Sequence, residues 1–363
     1  MTAPETVSGK PTVSVIVPAR NEEASLGSCL ESLTNQTGVS SEIIVVDDAS
    51  TDRTREIAQS FPSVRVVDAG PPPARWTGKN NAMAVGARVA AGEWLLFTDA
   101  DTVHLPGALA GAVAEVRRRD ASLLSYSPAQ EVHGFWEKAV MPVIFAELAA
   151  TYRPALVSDP GSPAAAANGQ YILIARTVYD AVGGHAAVCD SLLEDVALAR
   201  IVKASGRRIF FRYGGDAVRT RMYRSFAQLR EGWTKNLALL FISPARLALL
   251  RLTEFVLIAG GAAAAVAAEL HGHVRPALAA ALLAVTMYGF LLNRIRRAHF
   301  SWQETALSPA GLPLFAYLLL RSKLCHQEGS VLWKGRTYGG GTNHSGTDAA
   351  TIEGQRPAER TSA

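Results

Sequence analysis

The chain is poor in cysteine and thin in charge. Only three cysteines, Cys29, Cys189 and Cys325, occur in 363 residues. They are too far apart to build a disulfide framework or a thiolate zinc site. Charged residues make up 19%, below the roughly 25% usual in soluble domains. Lys+Arg number 36 against 32 Asp+Glu, and the absence of long basic runs argues against a nucleic-acid partner. Residues 1–10 are polar and carry no apolar h-region, so no secretory signal is expected. Neither of the first two strand-like runs is followed by a dinucleotide glycine fingerprint, which disfavours a dinucleotide-dependent oxidoreductase. A P-loop Gly-x-x-x-x-Gly-Lys-Ser/Thr is also lacking, which removes that class of NTPase.

Apolar residues fill the space, at 48%, and they are unevenly spread. Phe255 to Ala268 holds no charge, Pro276 to Asn293 is an uncharged run of 18, and Thr305 to Leu320 is an uncharged run of 16 broken by Pro309, Gly311 and Pro313. A bilayer crossing needs about 20 mostly apolar residues. The second run qualifies, and the first does so if extended to Glu254 and Glu269. The third reads as a span or a re-entrant hairpin. Residues 252–325 are therefore expected to be a membrane region, preceded by an interfacial helix over 237–251 with Arg246 and Arg251 among leucines. Arg294, Arg296 and Arg297 follow the second run, which favours a multi-pass protein of the cell membrane with its N-terminal part in the cytoplasm. Residues 1–12 and 339–363 are expected to be a flexible N-terminus and a disordered tail. Phe135 to Ala167 is unusually apolar for a soluble loop; it reads as a membrane-apposed acceptor entrance, or as a core helix with an alanine linker.

Residues 13–236 read as alternating strands and helices. Val13 to Val17, Glu42 to Val46, Val64 to Val67 and Trp94 to Phe97 are the strands. Helices are expected over Asn21 to Leu33, Thr54 to Ser60 and Asn80 to Ala91. Such alternation implies an α/β fold with a doubly wound, mostly parallel sheet, whose ligands bind beyond the carboxyl ends of the strands. Two acidic clusters fall there. Asp99 and Asp101, two residues apart, are placed to hold a hard divalent cation completed by water and phosphate, or form an ordinary acidic turn. Asp47 and Asp48 are acceptor-only groups that could meet a base or ribose.

The order of motifs resembles the family 2 glycosyltransferases, nucleotide-sugar-dependent enzymes of the GT-A fold. The matching stretches are Val13 to Glu22, Val45 to Asp52, Gly78-Lys79-Asn80, Gly92 to Asp101 and Leu193-Glu194-Asp195. Within that family the chain is most similar to enzymes acting on membrane lipids, of the ceramide, hopanoid-associated and carotenoid type. That similarity rests on Asn168-Gly-Gln170, Val182-Gly-Gly-His185, the late apolar runs and Trp333-Lys-Gly-Arg-Thr-Tyr338 within the tail motif of residues 326–338.

The resemblance implies roles. Pro18, Arg20, Asn21, Glu22, Asp47, Asp48, Lys79 and Asp99 would bind the nucleotide-sugar, a UDP-hexose being favoured. Asp99 and Asp101 would hold Mg²⁺ or Mn²⁺, with His104 within reach. Asp195, beside Glu194, would be the base that takes the acceptor's proton, making the transfer inverting. Asn168, Gln170, Arg230 and Trp233 would serve the acceptor or diphosphate region. The family often carries Gln-x-x-Arg-Trp; here Gly232 stands where the arginine would be, and Arg230 or Arg224 is left to supply the cation. Transfer of one sugar to a lipid hydroxyl is expected. A polyprenyl-phosphate acceptor, a polysaccharide-building enzyme and a non-catalytic nucleotide-sugar-binding membrane protein are the alternatives.

Overall fold

The β-branched runs become strands and pair as one sheet. The computed structural model describes residues 10–338; the tail expected at 339–363 and most of the N-terminal segment lie outside the described residues. The chain alternates through β1 (Val13–Ala19), α1 (Leu26–Thr34), β2 (Ser41–Asp47), α2 (Thr54–Gln59), β3 (Val64–Asp68), α3 (Gly78–Val89) and β4 (Trp94–Phe97). It continues through β5 (Thr102–His104), α4 (Ala108–Arg118), β6 (Leu123–Ser127), β7 (Ala129–Gln130), α5 (Phe135–Thr151) and α6 (Pro154–Ser158). Next come β8 (Ile172–Ala175), α7 (Arg176–Ala181), α8 (Glu194–Ala204), β9 (Ile209–Tyr213), β10 (Val218–Thr220) and α9 (Phe226–Leu240).

Seven strands form the main sheet in the order β3-β2-β1-β4-β8-β6-β9. Only β8 runs against its neighbours, β4 and β6, so the sheet is mostly parallel. Burial on both faces explains the continuous apolar runs: Val15 and Val17 enter one core with Leu26, Leu30 and Leu109, while Ile16 enters the other with Ala82, Met83 and Leu198. A small sheet, β5-β10-β7, extends the edge where the acidic clusters lie.

Two helix starts differ from expectation for local reasons. Helix α1 begins at Leu26 rather than Asn21. Asn21 takes a positive φ of 53°, and its Oδ1 accepts a hydrogen bond from the Thr51 amide at 2.9 Å, so residues 20–25 become a loop over the sheet edge. Helix α3 begins at Gly78, because the Thr77 hydroxyl caps it by accepting from the Asn80 amide at 3.1 Å.

After α9, residues 241–243 break the chain and Pro244 opens α10 (Pro244–Phe255). A π-helical turn, Val256–Gly260, carries it directly into α11 (Gly261–Leu270). The separate interfacial helix expected at 237–251 is therefore replaced: residues 237–240 finish α9, and the rest begins a helix that runs on to Leu270. Helix α12 (Val274–Ile295) returns antiparallel, with Leu278, Leu282, Val285 and Phe290 exposed. Among the described residues three stretches are long and apolar enough to cross a membrane: Phe135–Ser158, Pro244–Leu270 and Val274–Ala298.

The third apolar run forms no hairpin. After the short α13 (Trp302–Thr305) it builds one continuous helix, α14 (Ser308–Gln327), buried through Leu312, Phe315, Leu318 and Leu319 in a core shared with α5, α9 and α10. Gly311 makes this possible, since a Cβ there would overlap the Ala139 carbonyl of α5. Helix α5 is thus largely a core element, and Ala165, Ala166 and Ala167 are buried under the sheet instead of lying on a membrane. Glu147, Arg251, Glu254 and Arg294 knit α5, α10 and α12 together. Arg294 Nη2 lies 2.8 Å from Glu254 and its Nε 3.1 Å from Glu147, while Arg251 pairs with Glu254 and with Glu147. Arg251 and Arg294 therefore face carboxylates. The described residues end in a hairpin of β11 (Val331–Trp333) and β12 (Arg336–Tyr338) that reaches back to Asp48 beside β2.

Candidate functional site

The ends of β1, β2 and β4 open into a cavity of about 940 Å³. At its floor Lys79, carried by the first turn of α3, lies 2.8 Å from Asp99 and 2.8 Å from Glu194. One ammonium thus ties the Asp-x-Asp loop to the N-terminus of α8. Burial opposes its charge, but Asp99 and Glu194 outweigh that and hold it protonated well above the usual lysine range. Burial would also raise Glu194, yet Lys79 and Lys235 bring it below the ordinary carboxylate range.

Asp195 is set differently. Its Oδ2 accepts from the Gly169 amide at 2.9 Å and its Oδ1 from its neighbour's amide, Val196, at 2.8 Å. Burial and the Glu194 charge push it up to about 6, against the pull of Lys79 and those amides. A carboxylate poised there is ionised at neutral pH and still basic enough to accept a proton.

Asp101 is pushed up to about 7 by burial and by the charges of Asp99 and Glu22. Its Oδ1 is buried without a hydrogen-bond partner among the described residues, an arrangement that a cation would relieve. Among the described residues no three His, Cys, Asp or Glu side chains are grouped to hold a metal alone. Asp99 and Asp101 therefore fit a divalent cation that takes its remaining ligands from phosphate and water.

The expected residues divide. Pro18, Arg20, Asn21, Glu22, Asp48, Asn168 and Gln170 line the cavity. Arg20 is committed to carbonyls, donating to Asp48 O at 2.6 Å and to Lys334 O at 3.1 Å. Asp48 is gripped by Arg336, whose two terminal nitrogens donate at 2.5 and 2.9 Å, so its carboxylate is not free for a base or ribose. Asp47 turns away to Arg55 and the Ser50 amide and does not line the cavity. Gln170 is held by Thr220 and Thr98, and Asn168 Oδ1 accepts from the Gln170 amide. Trp233 lines the cavity with its Nε1 donating to Met141 sulfur.

Two further residues lie outside the cavity. Arg230 is exposed on α9 and does not reach the cavity. His104 is buried against Tyr171, hydrogen-bonded to Thr98, and burial lowers it to about 3. Burial thus keeps it neutral, outside the cavity.

Sequence reasoning singled out the tail motif without giving it a place. The hairpin closes one wall of the cavity: Lys334 pairs with Glu22, its amide donates to Glu231 at 2.8 Å, and Arg336 holds Asp48. Lys235 was missed outright. The only available signal was two basic residues and a tryptophan packed into six positions, Trp333 to Tyr338. The cavity also has an apolar part, formed by Phe145, Leu148, Tyr152 and Leu240 from α5, the turn after it and α9.

Residues 14–175 match the family model described as glycosyl transferase family 2. The chain is 28% identical over 338 residues to the 4,4'-diaponeurosporenoate glycosyltransferase of Staphylococcus aureus (strain USA300), covering 90% of this chain and 88% of that one. A mannosyltransferase from Pyrobaculum calidifontis, solved with GDP-Man and Mn²⁺, superposes with a TM-score of 0.50 at 18% identity, covering 88% of this chain and 87% of that chain. That likeness speaks for the fold. Acidic groups gather at the edge of a GT-A-like sheet, residues 14–175 match a glycosyl transferase family 2 domain, and the chain is similar to a glycosyltransferase along nearly its whole length.

Proposed function

We propose that the chain transfers a single sugar from a nucleotide-sugar to an oxygen of an apolar, carotenoid-type lipid at the cytoplasmic face of the cell membrane. One observation carries this reading. A single cavity runs from Asp99, Asp101 and Asp195 to the apolar residues Phe145, Leu148 and Tyr152, in a chain whose helices Pro244–Leu270 and Val274–Ala298 are long and apolar enough to cross a bilayer. The relative from Staphylococcus aureus, named for a carotenoid-type acceptor, supports the same lipid class.

In the proposed step the acceptor hydroxyl attacks the anomeric carbon while the bond to the diphosphate oxygen breaks. Asp195 takes the hydroxyl proton, and the nucleoside diphosphate leaves with the electron pair. One displacement on the face opposite the leaving group inverts the configuration. Lys79 fixes Asp99 against Glu194 and so sets the distance between the donor loop and the base. A Mg²⁺ or Mn²⁺ held by Asp99 and Asp101 would offset charge on the leaving diphosphate. A UDP-hexose is the donor favoured by the sequence resemblance.

A second reading concerns the acceptor oxygen. The relative's acceptor is by name a carboxylate, which is already ionised and needs no base. Membranes containing the protein, given a panel of labelled nucleotide-sugars, should yield labelled lipid by mass analysis of the organic extract. Label found only in free sugar or in polymer would contradict the proposal.

A further inference from the structure

The sequence departs from the family pattern at Gly232, and the structure shows why an arginine cannot return there. A Cβ on Gly232 would overlap the ring of Tyr223, which is buried in the core against Trp233. The close approach of these two residues removes the usual place for a cation on α9. Of the two arginines left to supply it, Arg230 is exposed and lies outside the cavity, while Arg224 lines the cavity with an exposed side chain.

One helical turn beyond Gly232, Lys235 stands on the face of α9 that also carries Gln228 and Glu231, and all three line the cavity. Its ammonium sits over the Trp333 ring of the tail hairpin, 5.1 Å from the centroid. Among the described residues it forms no ion pair within 4.0 Å and donates no hydrogen bond. The other two lysines of the cavity are both committed, Lys79 to Asp99 and Glu194, and Lys334 to Glu22. Lys235 is therefore the cavity lysine with its donors open, and it is close enough to Glu194, Asp195 and Asp99 to feel their charges. Burial lowers its proton affinity, and those carboxylates act to restore it.

We propose that Lys235 is a further catalytic residue, the cation that meets the diphosphate of the donor and stabilises it as it leaves. An open ammonium beside carboxylates that would otherwise repel a diphosphate supplies charge where negative charge develops. Trp333 is a positioning residue that holds the ammonium at the cavity wall, so the tail hairpin contributes to the site through Lys235. This inference rests on the donor-binding part of the proposed function.

The test is equilibrium binding of UDP and GDP, each against its monophosphate, to the full chain in detergent with Mg²⁺, alongside steady-state turnover. For Lys235→Ala, diphosphate affinity should fall on the order of tenfold or more, as for loss of a charge-assisted contact. Monophosphate affinity should change little, and kcat should fall by more than the donor KM rises. Lys235→Arg should recover most of both, and both variants should melt with the wild type, since Lys235 carries no ion pair in the fold. A Lys235→Ala protein that keeps the wild-type preference for diphosphate over monophosphate, with unchanged kcat, would overturn the assignment while leaving the proposed function standing. Wild-type protein that binds neither UDP nor GDP would overturn both.

Discussion

Arg336 holds Asp48 in a two-pronged ion pair, at 2.5 and 2.9 Å, across 288 positions of sequence. Asp48 begins the loop after β2 and Arg336 opens β12, so the last described element is fastened to the sheet edge where a donor would bind. Between the two partners the chain makes its candidate membrane crossings. The pair thus ties the segment beyond the candidate membrane helices back to the edge of the main sheet.

Arg336→Ala should loosen the hairpin and strand a nearly buried carboxylate. The expected cost is about 1.5–3 kcal/mol of stability, the range for a hydrogen bond to a charged group, together with a donor KM raised roughly tenfold. Thermal unfolding in detergent and donor titrations check this. Unchanged values in both would mean that the hairpin is not part of the donor site.

Asp195→Asn removes the proposed base but keeps the shape of the side chain. Transfer to a hydroxyl acceptor should fall by roughly 10²–10⁴, the usual contribution of a positioned general base, with donor affinity nearly intact. Transfer to a carboxylate acceptor should survive the substitution, because no proton has to be taken. Rates measured with an alcohol and a carboxylic acid of the same polyene would separate the two acceptors.

The pH profile follows from the same group. Burial and the charge of Glu194 push Asp195 up to about 6, and the base works only when deprotonated. Transfer to a hydroxyl should therefore be present above that value and lost as the pH falls through it. Asp101 stands higher, at about 7, and a proton there competes with a cation. The Mn²⁺ concentration needed for half-maximal activity should rise as the pH drops below 7. A metal requirement independent of pH would place the cation away from Asp101.

Glu254→Leu breaks the four-charge cluster at the heart of the helical region, leaving Arg251 and Arg294 short of a carboxylate. The expected loss is about 3–5 kcal/mol, as for a buried pair deprived of one partner. It would be read as a lowered melting temperature in detergent with the donor site unaffected. Glu254→Gln should cost less, since it retains an acceptor.

Much of the sheet was legible because β-branched runs buried on both faces leave an unmistakable pattern, and the acidic pairs fall where strands stop. Val13 to Val17 and Trp94 to Phe97 needed no tertiary information. The site was legible only in part. That Asp48 is occupied depends on Arg336, a partner no local rule connects to it. Lys235 was passed over because helical phase decides which residues of α9 look inward. Gln228, Glu231 and Lys235 recur at spacings of three and four and share the cavity face, while Arg230 points elsewhere. The run from Thr305 to Leu320 has nearly the apolar length of a span, but only packing shows that Gly311 lets α14 settle against α5 as core.

The central claim is that donor carboxylates and an apolar acceptor wall share one cavity, and the most direct measurement follows the sugar into lipid. The full chain should be reconstituted in liposomes with a carotenoid alcohol or acid, a divalent cation and a sugar-labelled UDP-glucose or GDP-mannose. The organic phase should then be analysed by mass. The account predicts a lipid carrying one added hexose with wild-type protein, reduced strongly by Lys235→Ala and, for the alcohol, by Asp195→Asn. Donor consumption with the label confined to the aqueous phase, across both lipids and both donors, would contradict it.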